Sequence, residues 1–227
     1  MKKFLFAFLF ITLTITSIQS QTSLASDSTD LNLKKKVTDW ISALNLSDAD
    51  KEQRVQLIVF THLKAITNWH NTHSYTLVPE GMNPRTGDKL STLDRQMIID
   101  SSQPVSVHQN LMDGLRKELT EEQVELILDK YTVGKVAFTL NGYKSIVTDL
   151  NAEEEKVILA NLKKAREIAV DYKSMNQISA IFDIYKTKNE QYLNGNGRNW
   201  RTLYKAYSEA AKAKKAAKAA ETQAVSK

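Results

Sequence analysis

Val55, Val59, His62, Ile66, Trp69 and His73 follow one another at alternating intervals of four and three residues, which puts all six on one face of a long helix. A stripe of that kind is not stable alone in water. It needs other apolar faces to cover it, so the chain must pack helix against helix. A second stripe, Ile158, Leu162, Ala165, Ala169 and Tyr172, has the same spacing, with Glu153, Glu155, Lys163, Lys164 and Glu167 lying off it. Shorter helical patterns run through Val105, His108, Met112, Leu115 and Leu119, through Val124, Ile127, Leu128 and Tyr131, and through Ile178, Ile181, Phe182 and Tyr185. Three of these segments open on a capping pattern: Ser47 with Asp50, Thr120 with Gln123, and Asn151 with Glu154, each pair three residues apart.

Two stretches break the helical rule. All three prolines, Pro79, Pro84 and Pro104, fall with Gly81 and Gly87 between Tyr75 and Pro104, which predicts a long loop suited to forming the rim of a binding site. Between Val133 and Val147, Val136, Phe138 and Leu140 alternate with smaller or polar residues and lead into Asn141-Gly142, a pattern that predicts a short β-hairpin. The alternative at that point is a helix ending in an irregular loop. The expected fold is mainly α: a multi-helix single domain over residues 30–208 with a long proline-containing loop and one short β-hairpin.

The ends differ from the body. Lys2 and Lys3 precede an apolar run from Phe4 to Ile18 and then small residues. This is the pattern of a cleavable signal peptide over residues 1–20, or to 25 if cleavage follows Ala25 rather than Ser20. The run is too short to span a bilayer, which takes roughly 20 residues. The protein is therefore expected in the periplasm or outside the cell, with no membrane span. Without cysteine it has neither disulfides nor a lipidated cysteine, and its stability must come from packing. The net charge of +5 is misleading: residues 21–204 hold 23 basic and 24 acidic side chains. A neutral body argues against nucleic-acid binding, which needs a concentrated basic surface. Residues 209–227 are mainly alanine and lysine, a segment that cannot contribute to a core and is expected to fray.

The candidate ligand-binding residues form two groups. Trp69, His70, His73 and Tyr75 sit where the long helix meets the loop, with Arg85, Asp94 and Arg95 in the loop and His108 beyond it. Aromatic, imidazole and guanidinium groups together suit stacking on a sugar face and hydrogen bonding to hydroxyls. His70 and His73 are one turn apart and are weak metal candidates, because no complete ligand set accompanies them; no metal or cofactor is expected. The second group is Arg198 and Trp200 in Asn194-Gly195-Asn196-Gly197-Arg198-Asn199-Trp200-Arg201. The alternative is that Trp200, Leu203, Tyr204 and Tyr207 are helix residues facing the core. No catalytic residue is assigned: G-x-S-x-G, H-E-x-x-H, a phosphate-cradling glycine loop and a nucleophilic cysteine are all absent from the sequence. Glu80, Asp88, Asp94 and Asp100 are the acidic residues from which a glycosidase pair would be drawn.

Several segments resemble one family of secreted Bacteroidota proteins. They are Trp69-His70-Asn71-Thr72-His73, Val78-Pro79-Glu80-Gly81-Met82-Asn83-Pro84, Asp94-Arg95-Gln96, and Tyr131-Thr132-Val133-Gly134-Lys135-Val136-Ala137-Phe138-Thr139 with Asn141-Gly142-Tyr143. Lys164-Ala165-Arg166-Glu167 and Phe182-Asp183-Ile184-Tyr185-Lys186 belong to the same set. Over residues 30–207 the chain resembles domain-of-unknown-function family 3826. That resemblance implies a sugar-binding component of a polysaccharide-processing system, with an oligo- or polysaccharide as partner and no catalytic residues to carry over. A non-catalytic carbohydrate-associated binding protein is the first expectation. A glycan-active enzyme (glycosidase or lyase) and a cell-envelope structural or interaction module are the alternatives.

Overall fold

The computed structural model describes residues 16–84 and 86–225. Among them the chain forms α1 (Thr16–Ser42), α2 (Ala49–Thr72), a 3-10 turn (Tyr75–Leu77), α3 (Thr92–Asp100), α4 (Val105–Glu118), α5 (Glu121–Thr132), α6 (Lys135–Ile146), α7 (Ala152–Ala169), α8 (Met175–Gly195) and α9 (Trp200–Val225). The fold is that of an all-helical single domain. Most of the residues expected to carry the signal peptide, and the candidate Arg85, lie outside the described residues.

The helices build two adjoining cores. Val37 and Ile41 of α1, Val55, Val59, Leu63 and Ile66 of α2, Leu111 and Leu115 of α4, and Val124, Ile127 and Leu128 of α5 bury together. Val136 and Tyr143 of α6, Ile158, Leu162 and Ala165 of α7, and Ile178, Ile181, Phe182 and Leu193 of α8 form the second. Both predicted stripes are thus inward faces, as the requirement to cover apolar surface demands. The cores meet where α5 packs on α7. There the buried Arg166 pairs through Nη1 with Asp129 Oδ1 at 2.7 Å and through Nη2 with Glu125.

Local capping decides where helices start. Thr120 with Gln123 and Asn151 with Glu154 form reciprocal capping boxes, and Ser91 with Asp94 and Ser174 with Gln177 do the same. For α2 the cap is Asp48, whose side chain accepts from the Lys51 backbone N–H at 3.0 Å, one residue beyond the expected Ser47.

The predicted hairpin is absent: residues 135–146 are the helix α6. Val133 and Gly134 both take left-handed backbone angles, φ 54° and 67°, and this turns the chain sharply from α5 into α6. Val136, Leu140, Tyr143 and Val147 then recur at four, three and four and pack on the second core, while Phe138 is 79% exposed. The period-two alternation was part of a helical pattern. A two-stranded hairpin is marginal on its own in water, whereas this helical face packs on α7. Val133 is a β-branched residue in a conformation that costs about 1–2 kcal/mol, and it is exposed. Val133→Asn is therefore expected to raise stability by about 1 kcal/mol, read as a higher urea midpoint at unchanged slope.

The proline-containing stretch is more ordered than a plain loop. It contains the 3-10 turn and α3, and a tight reversal joins Met82 to Lys89 through an antiparallel bridge, with Leu90 N–H donating to Gly81 O at 2.9 Å. At the other end, α9 continues through the alanine-lysine segment, whose described side chains from Glu209 onward are exposed.

Candidate functional site

The structure gathers Trp69, His70, His73, Tyr75 and Arg95 at the end of α2, but it commits the Trp69 indole, the His70 Nδ1 and the Arg95 guanidinium to the protein itself. Trp69 stacks face to face on His73 with ring centroids 3.8 Å apart, and its indole N–H donates to Ile99 O at 3.1 Å. His70 Nδ1 hydrogen-bonds Asp100 Oδ2 at 2.6 Å. Arg95 donates from Nε and Nη2 to Val78 O at 2.9 and 2.6 Å and lies over the Tyr75 ring. Asp94 is the acceptor of the α3 capping box. His70 and His73 turn to different partners, and no group of three metal-ligating side chains occurs among the described residues. The loop carboxylates do not face one another: Glu80 pairs with Lys89 at 2.9 Å, while Asp100 is buried under Gln96, His70 and Gln177. His108 lies elsewhere, on Asp171.

Arg198 is also committed. It grips Glu154 through Nε and Nη2, both at 2.7 Å, and Asp149 through Nη1 at 2.7 Å, tying the turn before α9 to the start of α7. These contacts hold the Glu154 carboxyl below the ordinary glutamate value, with the Arg198 hydrogen bond as the largest cause.

That clamp places Trp200, and with it a groove that the sequence did not announce. Helices α6, α8 and α9 enclose about 580 Å³ lined by Phe138, Asn141, Tyr143, Glu190, Trp200, Tyr204 and Tyr207, among others. The size falls in the usual range for small-molecule sites, roughly 300–1,000 Å³. Trp200 packs against the second core, but Tyr204 and Tyr207 remain 53% and 41% exposed beside the exposed Phe138. The Trp200 and Tyr204 rings lie 6.1 Å apart at 28°, which presents a nearly continuous aromatic surface. Tyr143 donates its hydroxyl to Lys186 O at 3.1 Å, and burial raises its pKa. The Glu190 carboxylate makes no hydrogen bond or ion pair among the described residues, and burial pushes it above the ordinary value, with Lys186 acting the other way.

Gly142 lines the same groove, and a Cβ built there would meet nothing within 4 Å. Glycine costs a helix interior about 1 kcal/mol relative to alanine, so its presence in α6 is expensive unless the open space has a use. Asn141-Gly142 read as a turn because sequence alone shows the pair and not the helix around it. The signal that does point to the groove is Trp200, Tyr204 and Tyr207 at intervals of four and three. In that stripe the second and third aromatics face away from the core.

This architecture defines an all-helical single-domain protein in which, among the described residues, no helix is long and apolar enough to cross a membrane. A family model described as "Protein of unknown function (DUF3826)" matches residues 31–213, and the chain belongs to that family. The match takes in the whole groove and ends within the alanine-lysine part of α9. No curated protein matches the chain.

Proposed function

We propose that the protein is an exported carbohydrate-binding protein, and that the groove between α6, α8 and α9 is a non-catalytic site for a saccharide. The observation that carries this reading is the cluster of exposed aromatic side chains, Phe138, Tyr204 and Tyr207, around the unpaired carboxylate of Glu190. Contiguous exposed apolar surface marks an interaction site. Aromatic faces suit the apolar C–H face of a pyranose ring, and a carboxylate accepts hydrogen bonds from its hydroxyls. Asn141 at the rim supplies both a donor and an acceptor. The N-terminal Lys2-Lys3 and the apolar run after them support export; mass spectrometry of the mature N-terminus should find Gln21 or Ser26 first.

The test is a thermal-shift and calorimetric screen against plant and marine oligosaccharides, since a ligand above its dissociation constant raises the melting temperature by mass action. Tyr204→Ala is expected to weaken a glycan hit by about two- to tenfold, the loss of one stacked face. Flat binding across the panel, or a Tyr204→Ala variant equal to the parent, sinks the reading. Glu190→Gln separates binding from folding. The raised carboxyl means the charged form is disfavoured in the fold; that cost is absent below the unfolded pKa near about 4.3 and full above the folded one. At pH 7 the neutral variant should therefore melt slightly higher while binding the glycan less well.

A further inference from the structure

Away from the groove, four polar side chains form a single hydrogen-bonded chain that ends on the wall of another cleft. Tyr131 of α5 and His62 of α2 are buried. The Tyr131 hydroxyl lies 3.1 Å from His62 Nδ1, His62 Nε2 lies 3.0 Å from Asp171 Oδ1, and His108 Nδ1 of α4 lies 2.8 Å from Asp171 Oδ2. Gln103 holds the Asp171 backbone, its Nε2 donating to the carbonyl at 3.0 Å.

With both imidazoles neutral, the donors and acceptors of this chain allow one consistent assignment. A carboxylate only accepts, so both imidazoles donate to Asp171. His62 then carries its proton on Nε2 and accepts the Tyr131 proton at Nδ1. His108 carries its proton on Nδ1, which leaves its Nε2 lone pair available to accept a proton. Burial alone would raise the Asp171 carboxyl, but the hydrogen bonds from His108 and His62 outweigh it and hold the carboxyl below the ordinary aspartate value. The same bond, with the charge of Asp171 behind it, raises the basicity of His108 against the opposing effect of burial.

His108 lines a cleft of about 730 Å³ between α4 and α7, whose walls include Pro104, Val105, Ile168, Lys164 and Glu167. Glu167 Oε1 stands 3.8 Å from His108 Nε2, too far for a direct hydrogen bond. Two acceptors at that separation can each take one proton of a single water molecule and leave its lone pairs facing the cleft.

We propose that this cleft is a hydrolytic site for carboxylic esters, in which His108 Nε2 is the general base toward a water held between it and Glu167, and Asp171 is the positioning residue. As the water oxygen attacks the ester carbonyl carbon, one of its protons passes to Nε2 and the carbonyl π electrons move onto oxygen, beside the Lys164 ammonium. Collapse of that tetrahedral anion breaks the carbon–oxygen bond to the alcohol, and the proton on Nε2 goes to the departing oxygen. The products are an acid and an alcohol; water is the only co-reactant, and nothing is oxidised or reduced. Pro104, Val105 and Ile168 offer an apolar wall to the acyl chain.

The experiment is hydrolysis of p-nitrophenyl acetate and p-nitrophenyl butyrate by the mature full-length protein. His108→Asn, at a side chain that is 29% exposed, is expected to lower kcat/KM by about 10²-fold or more, with its folding checked by thermal unfolding. In the parent, kcat/KM should rise with pH as the free base forms, with a midpoint above the ordinary imidazole value of about 6.5. Asp171→Asn should lower kcat more than KM and move that midpoint down, a shift that a purely structural role would not produce. A parent rate equal to buffer, or a His108→Asn rate equal to the parent, overturns the proposal.

Discussion

Arg166→Ala is expected to destabilise the protein by about 3–5 kcal/mol, the usual result of breaking a buried ion pair from one side. The Arg166 side chain is only 2% exposed, and it reaches from α7 to Glu125 and Asp129 on α5. Removing it strips Asp129 of its cation, leaves Glu125 with Lys163 alone at 2.8 Å, and opens a cavity between the two cores. Urea unfolding should show a lower midpoint at unchanged slope, and the melting temperature should fall by roughly 10 °C, at about 2–4 °C per kcal/mol for a domain of this size. Arg166→Met separates the two causes, because it refills the space without the charge. Glu125 and Asp129 are 26% and 36% exposed and reach solvent, so this variant should lose clearly less than Arg166→Ala. Equal losses would mean that the charge, rather than the packing, holds α5 to α7.

Asp100→Ala is expected to cost about 3 kcal/mol and to loosen the segment between α2 and α4 more than the rest. Asp100 is 3% exposed and accepts from His70 Nδ1 at 2.6 Å, from Gln177 Nε2 at 2.6 Å and from Gln96 Nε2 at 2.9 Å. Gln96 in turn holds the backbone at His73 and Tyr75. The carboxylate therefore pins the proline-containing segment to both α2 and α8, and its loss strands buried donors at about 1–3 kcal/mol each when unsatisfied. Hydrogen exchange should accelerate over residues 75–100 while α7 and the lower part of α2 stay protected. Uniform acceleration throughout the molecule would contradict a local anchoring role.

The helices were legible because their physics is local. The stripes from Val55 to His73 and from Ile158 to Tyr172 and the capping pairs Thr120–Gln123 and Asn151–Glu154 act over three or four residues; both pairs open helices, and the stripes are helical through Trp69 and Ala169, with His73 capping α2 and Tyr172 lying past the end of α7. Ser91–Asp94 and Ser174–Gln177 obey the same capping rule, so α3 was readable in a stretch that its prolines made look like plain loop. The misreading at residues 133–147 has a local cause too. Three apolar residues at even positions satisfy a strand and part of a helix face equally, and Asn-Gly tips the balance toward a turn. What tips it back is the buried face of α7, which lies outside any short window.

Availability of side chains is where sequence reading stops. Trp69 and Arg198 carry groups suited to a sugar, yet Ile99 takes the indole N–H of the first, and Asp149 and Glu154 take the guanidinium of the second. Tyr204 and Tyr207 look like core residues by spacing, yet about half of each stays exposed, 53% and 41%. By itself the sequence determined that the chain is mainly helical, where several of the helices begin and which faces turn inward, because hydrogen bonding within a turn and the burial of a periodic stripe need only near neighbours. The tertiary structure decided that residues 135–146 are helical, that the Trp69 cluster is satisfied internally, and that an aromatic groove and a histidine-ended cleft stay open. Each of those outcomes depends on a partner that arrives from a distant part of the chain.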